Sequence, residues 1–188
     1  MRMKGFSVVL VAALLASGCA TMSPEQCMVA DWYELGERDA LAGLDSNHLA
    51  NRAKACQEAG YDIDSEAWYA GFDAAIPAFC TLDNGFRYGI VGNSYRNTCP
   101  SEIQAEFLEG YDVGTRIYAL EQQVASSQRR LNSIQANIER AQDSDTPDRQ
   151  SILDLREDLR DQMELIRNQE VALATARGVA IGRGFPVP

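Results

Sequence analysis

In two long stretches of the C-terminal half, mostly apolar residues recur at alternating steps of three and four, which is a heptad repeat. We call each row of such residues a seam. The first seam is Ile117, Leu120, Val124, Ser127, Leu131, Ile134, Ile138 and Ala141. The second seam is Ile152, Leu155, Leu159, Gln162, Ile166, Gln169, Leu173 and Ala176. A Pro-containing turn near 143–148 separates them. The pattern predicts a long antiparallel coiled-coil helical hairpin over residues 101–177.

Helix starts in the rest of the chain are marked by capping residues. Ser23 stands before Pro24 and three residues before Gln26, which is a capping box with Pro at the first helical position. No two-residue strand periodicity persists, so the predicted fold class is all-α. The helices are expected near 24–43, 46–59, 65–80, 101–142 and 147–177. The remaining segments are expected to be a loop with a short helical turn over 81–99 and a flexible tail over 178–188.

A degenerate repeat runs through the N-terminal half and the start of the predicted hairpin. Each copy places an aromatic residue two to four positions before a Gly, and three copies place an Asp two or three positions after it. The repeat-motif residues are Gly36, Asp39, Gly71, Asp73, Gly110 and Asp112. A Gly inside a helix costs about 1 kcal/mol relative to Ala, so its recurrence indicates a close helix crossing, with an aromatic ring over the Gly. The three Asp could form a carboxylate cluster for Ca²⁺ or acid–base work, but the favoured interpretation is that each bonds a neighbour within its own helix.

The N-terminus predicts a bacterial lipoprotein signal peptide over residues 1–18. Arg2 and Lys4 precede an apolar run, 6–16, that is too short to span a bilayer. The run ends in small residues before Cys19, as in a lipobox, so Cys19 is the predicted lipidation site, carrying palmitate-type acyl chains. The residue that follows Cys19 is Ala20. The absence of Asp at this position is typical, in Gram-negative bacteria, of lipoproteins that are sorted to the outer membrane. We therefore expect a lipid-anchored protein of the outer membrane that faces the periplasm.

The four other cysteines, in the oxidising periplasm, predict two structural disulfides rather than a metal site. Their spacings of 29, 24 and 19 residues match no zinc motif. Helix ends favour pairing Cys27 with Cys56 and Cys80 with Cys99 in a small disulfide-linked helical domain over 19–100. Each bridge is expected to stabilise the fold by about 3 kcal/mol.

Charge and residue inventory exclude several classes of function. The 188-residue chain has 17 Lys+Arg, 27 Asp+Glu and one His, a net charge of −10, and loss of Arg2 and Lys4 with the signal peptide would take it to −12. So acidic a chain is not expected to bind nucleic acid. The lone His48 lies near a predicted helix start with no nucleophile arrangement around it, so we expect no enzyme activity, no cofactor and no metal.

The ordered Cys, aromatic and Gly residues of the N-terminal half resemble a bacterial lipoprotein family of unknown function (DUF2799-like). They cover roughly residues 25–118. The residues that carry the resemblance are Cys27, Trp32, Tyr33, Gly36, Asp39, Gly43, Cys56, Gly60, Tyr69, Gly71, Cys80, Gly85, Gly89, Gly92, Tyr95, Cys99, Phe107, Tyr111 and Gly114. The resemblance implies envelope localisation and supplies no activity or catalytic residue.

Two functional hypotheses follow. The first is a non-enzymatic outer-membrane lipoprotein with a structural or interaction role, whose hairpin binds an envelope protein or a second copy, unless a third helix of its own chain covers the seams. The alternative is a periplasmic binding module in which the aromatic- and Gly-rich half holds a small molecule, glycan or cell-wall fragment.

Overall fold

The computed structural model describes residues 22–187, and these form seven α-helices and no strands. The all-α prediction is therefore confirmed over this range. The helices are α1 (Pro24–Met28), α2 (Trp32–Leu41), α3 (Ser46–Glu58), α4 (Ser65–Phe79), α5 (Leu82–Ile90), α6 (Ser101–Gln142) and α7 (Arg149–Gly182).

Two of the elements predicted for the N-terminal half are wrong. The expected helix 24–43 is divided, because the Asp31 side chain accepts a hydrogen bond from the Glu34 N–H (3.0 Å) and so starts a new helix, α2. The expected loop 81–99 contains the nine-residue helix α5, which begins at the Thr81 cap and has Gly85, Phe86 and Gly89 buried.

Two helix pairs, α2 with α4 and α5 with α6, cross at very short range. A Cβ placed on Gly36 would lie 2.0 Å from the Trp68 carbonyl oxygen, and one on Gly71 would lie 2.1 Å from that of Tyr33. Only Gly allows two helix backbones to approach this closely. We call this contact the first crossing.

We call the contact between α5 and α6 the second crossing. It has the same arrangement at two successive helical turns. Gly85 faces the Phe107 carbonyl and Gly110 that of Leu82, each within 2.1 Å of a virtual Cβ. One turn further on, Gly89 and Gly114 face Tyr111 and Phe86 in the same way, at 2.4 Å. Close crossing at Gly, predicted from the repeat, is therefore present, but backbone carbonyls rather than aromatic rings lie over these glycines.

The disulfides join neighbouring parts of this framework. Cys27 of α1 is bonded to Cys56 of α3, and Cys80, which follows α4, is bonded to Cys99, just before α6. These are the pairs that the predicted helix ends favoured. All four cysteines are buried, and each pair lies in one of two hydrophobic clusters, with Trp32 and Trp68 in the first and Phe79 and Phe107 in the second.

The C-terminal helices α6 and α7 pack side by side in opposite directions. Ser127 contacts Gln162, and Glu109 lies near Arg183, so the partner's number falls as the position along α6 rises. At 1.5 Å per residue, the 42 residues of α6 and the 34 residues of α7 span about 63 and 51 Å. The exposed segment 143–148 connects them.

The expected flexible tail, 178–188, is corrected over the part that the structure describes. Helix α7 continues to Gly182 instead of ending near 177, and Phe185 beyond it is buried. The Phe185 ring stacks on Phe86 of α5 at a centroid distance of 4.5 Å. This aromatic contact, with Ile117 and Ala180 in the same cluster, fastens the chain end to the second crossing.

Candidate functional site

The six repeat-motif residues do not converge on one site. Gly36 and Gly71 meet at the first crossing, whereas Gly110 belongs to the second. Asp39 is buried, but Asp73 and Asp112 are exposed on different helices. Among residues 22–187 no three His, Cys, Asp or Glu side chains lie close enough together to hold a metal ion. The repeated element is thus a packing device, and only Asp39 occupies a specialised environment.

Asp39 binds side chains from two other helices. Its Oδ2 accepts a hydrogen bond from Trp68 Nε1 at 3.0 Å, and the same oxygen is ion-paired with the Arg52 guanidinium. The side chains are 2% exposed for Asp39 and 11% for Arg52, so water screens the pair weakly. The expectation that each Asp bonds within its own helix is wrong here, because α3 and α4 supply both partners. The cluster fastens α3 to the first crossing.

Most of the aromatic residues are used in packing. Trp32, Trp68 and Phe107 are buried, whereas Tyr33 and Tyr69 keep 41% and 47% of their surface exposed. Phe107 stacks on Phe79 at 5.0 Å. These residues therefore do not form a continuous ring-lined groove for a large ligand.

Two tyrosine hydroxyls organise the segment between α5 and α6. Tyr111 Oη donates to the Asn93 carbonyl (2.9 Å) and accepts from the Tyr95 N–H (3.2 Å). Tyr95 Oη in turn accepts from the Cys99 N–H at 3.0 Å and from Gln104 Nε2 at 3.1 Å. The segment 93–99 is held by these bonds as well as by its disulfide.

His48 lies in the first turn of α3, half-buried, and its backbone N–H donates to the Asp45 carbonyl at 2.9 Å. That is the helix-start position expected for it.

Both heptad seams face the interior of the α6–α7 pair. Every seam position from Ile117 to Ala141 and from Ile152 to Ala176 is buried or half-buried. The polar seam residues Ser127 and Gln162 are both buried and meet each other, since Gln162 Nε2 donates to the Ser127 carbonyl at 3.1 Å. Arg177 and Glu121 add an ion pair of 2.7 Å across the two helices. We call the part of this pair beyond Tyr118, residues 119–172, the arm.

The outer faces of the arm are accessible. On α6 the side chains of Gln128, Arg129 and Arg130 are exposed. On α7 the exposed large apolar side chains of the arm include Leu153, Met163 and Leu165, with exposed fractions of 47%, 56% and 46%. Exposed apolar side chains set among charges are typical of surfaces that meet another macromolecule.

A groove lies between α6 and α7 at the base of the arm, with a volume of about 610 Å³. Its lining combines small residues with charged side chains from both helices. Its lining residues are Glu109, Asp112, Val113, Arg116, Ala172, Thr175, Ala176, Val179 and Arg183. Neither the heptad pattern nor the repeat predicted this groove, because it depends on how far apart the two helices stand.

The predicted lipidation site, Cys19, and the signal peptide lie outside the described residues. Between residues 22 and 187 no helix combines the length and the apolar composition needed to cross a bilayer.

Comparison with known proteins finds one family resemblance, over part of the chain. No curated protein and no solved structure matches the chain. Residues 31–116 match the model of a family described as "Protein of unknown function (DUF2799)". The match runs from the cap of α2 to the part of α6 that carries Gly110 and Gly114, so it covers both crossings and stops before the arm. The resemblance predicted from the sequence is therefore confirmed as a similarity of residues 31–116 to the DUF2799 family.

Proposed function

We propose that the protein is a non-enzymatic, lipid-anchored lipoprotein of the bacterial outer membrane, facing the periplasm, whose arm is a coiled-coil hairpin that binds another envelope protein or a second copy. The observation that carries the proposal is the arm itself. Its seams are turned inward, yet its outer faces present exposed apolar and charged side chains along two long helices.

The internal contacts of the arm favour a defined rather than a sliding pairing. A polar pair in an otherwise apolar seam fixes the register of two helices at some expense in stability. Gln162 and Ser127 provide such a pair, because a shift along the seam would leave the Gln162 amide buried without its acceptor. A rigid arm presents its outer faces in one arrangement, which suits recognition of a partner.

The direct test of the arm is photo-crosslinking in cells from the full-length protein. Probes that replace the exposed residues Gln128 and Met163 should yield a discrete adduct, either with another envelope protein or with a second copy. A probe at the buried Ile134 is the matched control and should react only within the chain. If the outward probes also gave intramolecular products alone, the interaction role of the arm would be rejected.

The anchor has its own test. Labelled palmitate should enter the wild-type protein and not a Cys19→Ser variant, because the acyl chains require the Cys19 sulfur and amine. An Ala20→Asp variant should still be labelled but remain at the inner membrane. With an acidic chain there is no basic patch to replace the acyl chains, so the Cys19→Ser protein should be released from membranes. Its retention there would contradict anchoring through Cys19.

A further inference from the structure

A second, smaller cavity lies on the disulfide-linked half, far along the chain from the arm. Its volume is about 200 Å³, and it opens between the start of α3, the middle of α4 and the segment before α6. The lining residues are Asp45, Ser46, Trp68, Tyr69, Phe72, Asp73, Asn97 and Thr98. The lining contains two carboxylates and no Lys, Arg or His.

Two polar atoms of this lining are buried without a hydrogen-bond partner. They are Asp45 Oδ1 and Thr98 Oγ1. The other carboxylate oxygen of Asp45 is occupied, because Oδ2 accepts from Asn47 Nδ2 at 2.9 Å. An ionised carboxylate oxygen can only accept a hydrogen bond, and leaving one buried and unpaired is unfavourable because its lost hydration is not replaced. A donor supplied by a ligand would remove that penalty.

Aromatic residues form another part of the lining. Tyr69 is 47% exposed and packs edge-on against Trp68 at 5.1 Å, and Phe72 stacks on Trp68 at 4.8 Å. The faces of such rings carry negative potential and attract cations. Both the carboxylates and the rings therefore select for a positive group.

The third side of the cavity is fixed in place. Asn97 and Thr98 immediately precede Cys99, which is bonded to Cys80 and whose N–H donates to Tyr95 Oη. Asn97 itself has a left-handed backbone (φ 56°). A wall held in this way needs little ordering when a ligand binds, so less binding free energy is lost to conformational entropy.

We propose that this cavity binds a primary alkylammonium group, with the N–H donors directed to Asp45 and Thr98, the charge balanced by Asp45 and Asp73, and the alkyl stem against Tyr69 and Phe72. The volume is below the roughly 300–1,000 Å³ of pockets for drug-sized ligands. The occupant is accordingly one short chain, either a free small amine or a single lysine side chain of a peptide.

The test uses NMR of the oxidised protein, observing the Trp68 indole N–H as it is titrated with n-butylammonium. The Trp32 indole N–H is the internal control, because Trp32 belongs to the same hydrophobic cluster but does not line the cavity. We expect a saturable shift of the Trp68 signal with a Kd of about 1 mM, as befits a five-heavy-atom ligand. Butyltrimethylammonium, which has the charge but no N–H donor, should bind at least about threefold more weakly. Equal shifts from n-butanol, or tighter binding of Ca²⁺ than of the amine, would overturn the proposal.

Two variants locate the binding at the cavity. Asp45→Asn keeps a good helix N-cap residue and should weaken binding about tenfold, and Asp73→Asn, being exposed, about threefold. Glu66→Gln, at an exposed acidic position in the first turn of α4 that does not line the cavity, is the matched control and should leave binding unchanged. Thermal unfolding confirms that each variant folds. Unchanged affinity in both Asp variants would refute the site.

The source of the ammonium group is decided by comparing two further probes. N-acetyl-lysine methylamide, which mimics a lysine within a peptide, should bind at least as tightly as n-butylammonium if a peptide is the natural partner. Weaker binding of that probe, with n-butylammonium retained, would assign the cavity to free amines.

Discussion

The first and second crossings share one geometry but are stabilised by different chemistry. In both, a Gly on each helix meets the carbonyl of the residue three positions before the partner Gly. Seven residues after the first Gly, a left-handed Gly ends the first helix beneath a ring of the partner helix: Gly43 under Phe79, and Gly92 under Tyr118. The spacing indicates that the two crossings are copies of one helix-pair unit.

The copies differ one turn beyond the shared Gly. The second crossing has Gly89 and Gly114 there, whereas the first has Ala40 and Ala75. The first crossing also has a buried ion pair, in which Asp39 joins α3 through Arg52. The position equivalent to Asp39 in the second copy is Tyr88, and that crossing is covered instead by α7 and Phe185. A repeated unit therefore tolerates very different neighbours as long as its closest contact stays glycine.

The largest predicted effect is on the polar cluster that only the first crossing has. Asp39→Ala should lower the free energy of unfolding by about 4 kcal/mol, because it leaves the Arg52 charge buried without its partner. Urea unfolding followed by circular dichroism measures this. Asp73→Ala and Asp112→Ala, at exposed repeat positions, should change stability by less than about 0.5 kcal/mol. Similar losses in all three variants would mean that the Asp residues play equivalent roles.

The next effect concerns the cover of the second crossing. Phe185→Ala should cost about 3 kcal/mol, since it empties a buried site against Phe86. Pro186→Ala, at the exposed neighbouring position, is the control and should be nearly neutral. In the Phe185→Ala variant, amide hydrogen exchange should become faster in α5 before it becomes faster in α2. Equal stability of the two variants would show that the chain end does not seal this crossing.

Glycine substitution tests whether the shared contact is equally important in both copies. Gly36→Ala and Gly110→Ala should each destabilise by about 2–3 kcal/mol, because the new methyl group meets a backbone carbonyl that cannot rotate away. Gly178→Ala, with open space around it inside α7, should instead stabilise by up to about 1 kcal/mol. Thermal unfolding of the three variants gives the comparison. A gain in stability at Gly36 or Gly110 would contradict close crossing there.

The smallest effect is a pH dependence at the start of α6, the helix that carries half of the second crossing. The backbone N–H of Glu102 and the Ser101 hydroxyl lower the pKa of the Glu102 carboxyl. A lowered pKa in the folded state means stabilisation that is present above the pKa of the unfolded chain and lost as the pH falls through the folded value. NMR titration of Glu102 should therefore show a midpoint below that of the Ser101→Ala variant. Identical midpoints in the wild type and the Ser101→Ala variant would show that the Ser101 hydroxyl does not lower the pKa of Glu102.

Sequence patterns predicted the elements whose local signals agree with their surroundings. The range predicted for α6, 101–142, is confirmed and the heptad seam accounts for most of its length, but Pro100 is the N-cap and no side chain caps this end, so a capping box that starts at Ser101 is not formed. The Ser127–Gln162 contact joins two polar positions already visible in the seams. Helix α5 was missed because Gly85 and Gly89 depress helix propensity, and only the contact with α6 makes them favourable. The repeated seven-residue spacing between glycines, from 36 to 43 and from 85 to 92, could have revealed this helix.

The remaining features depend on contacts that no local pattern encodes. Arg52 and Trp68 lie 13 and 29 residues from Asp39 along the chain, and nothing in the repeat indicates that they meet it. Phe185 stands in a Gly- and Pro-rich segment whose composition is typical of loose tails, yet one stacked ring orders it. The cavity beside Asp45 likewise brings together three separate segments.

Because α6 is continuous from the second crossing to the end of the arm, it is a mechanical lever. From Gly114, the last glycine of the second crossing on α6, the helix extends about 42 Å to Gln142. A pivot of about 5° at that contact would move the far end by about 4 Å. Force applied to the far end of the arm would therefore be transmitted along one unbroken helix to the glycines around which α5 and α6 are packed.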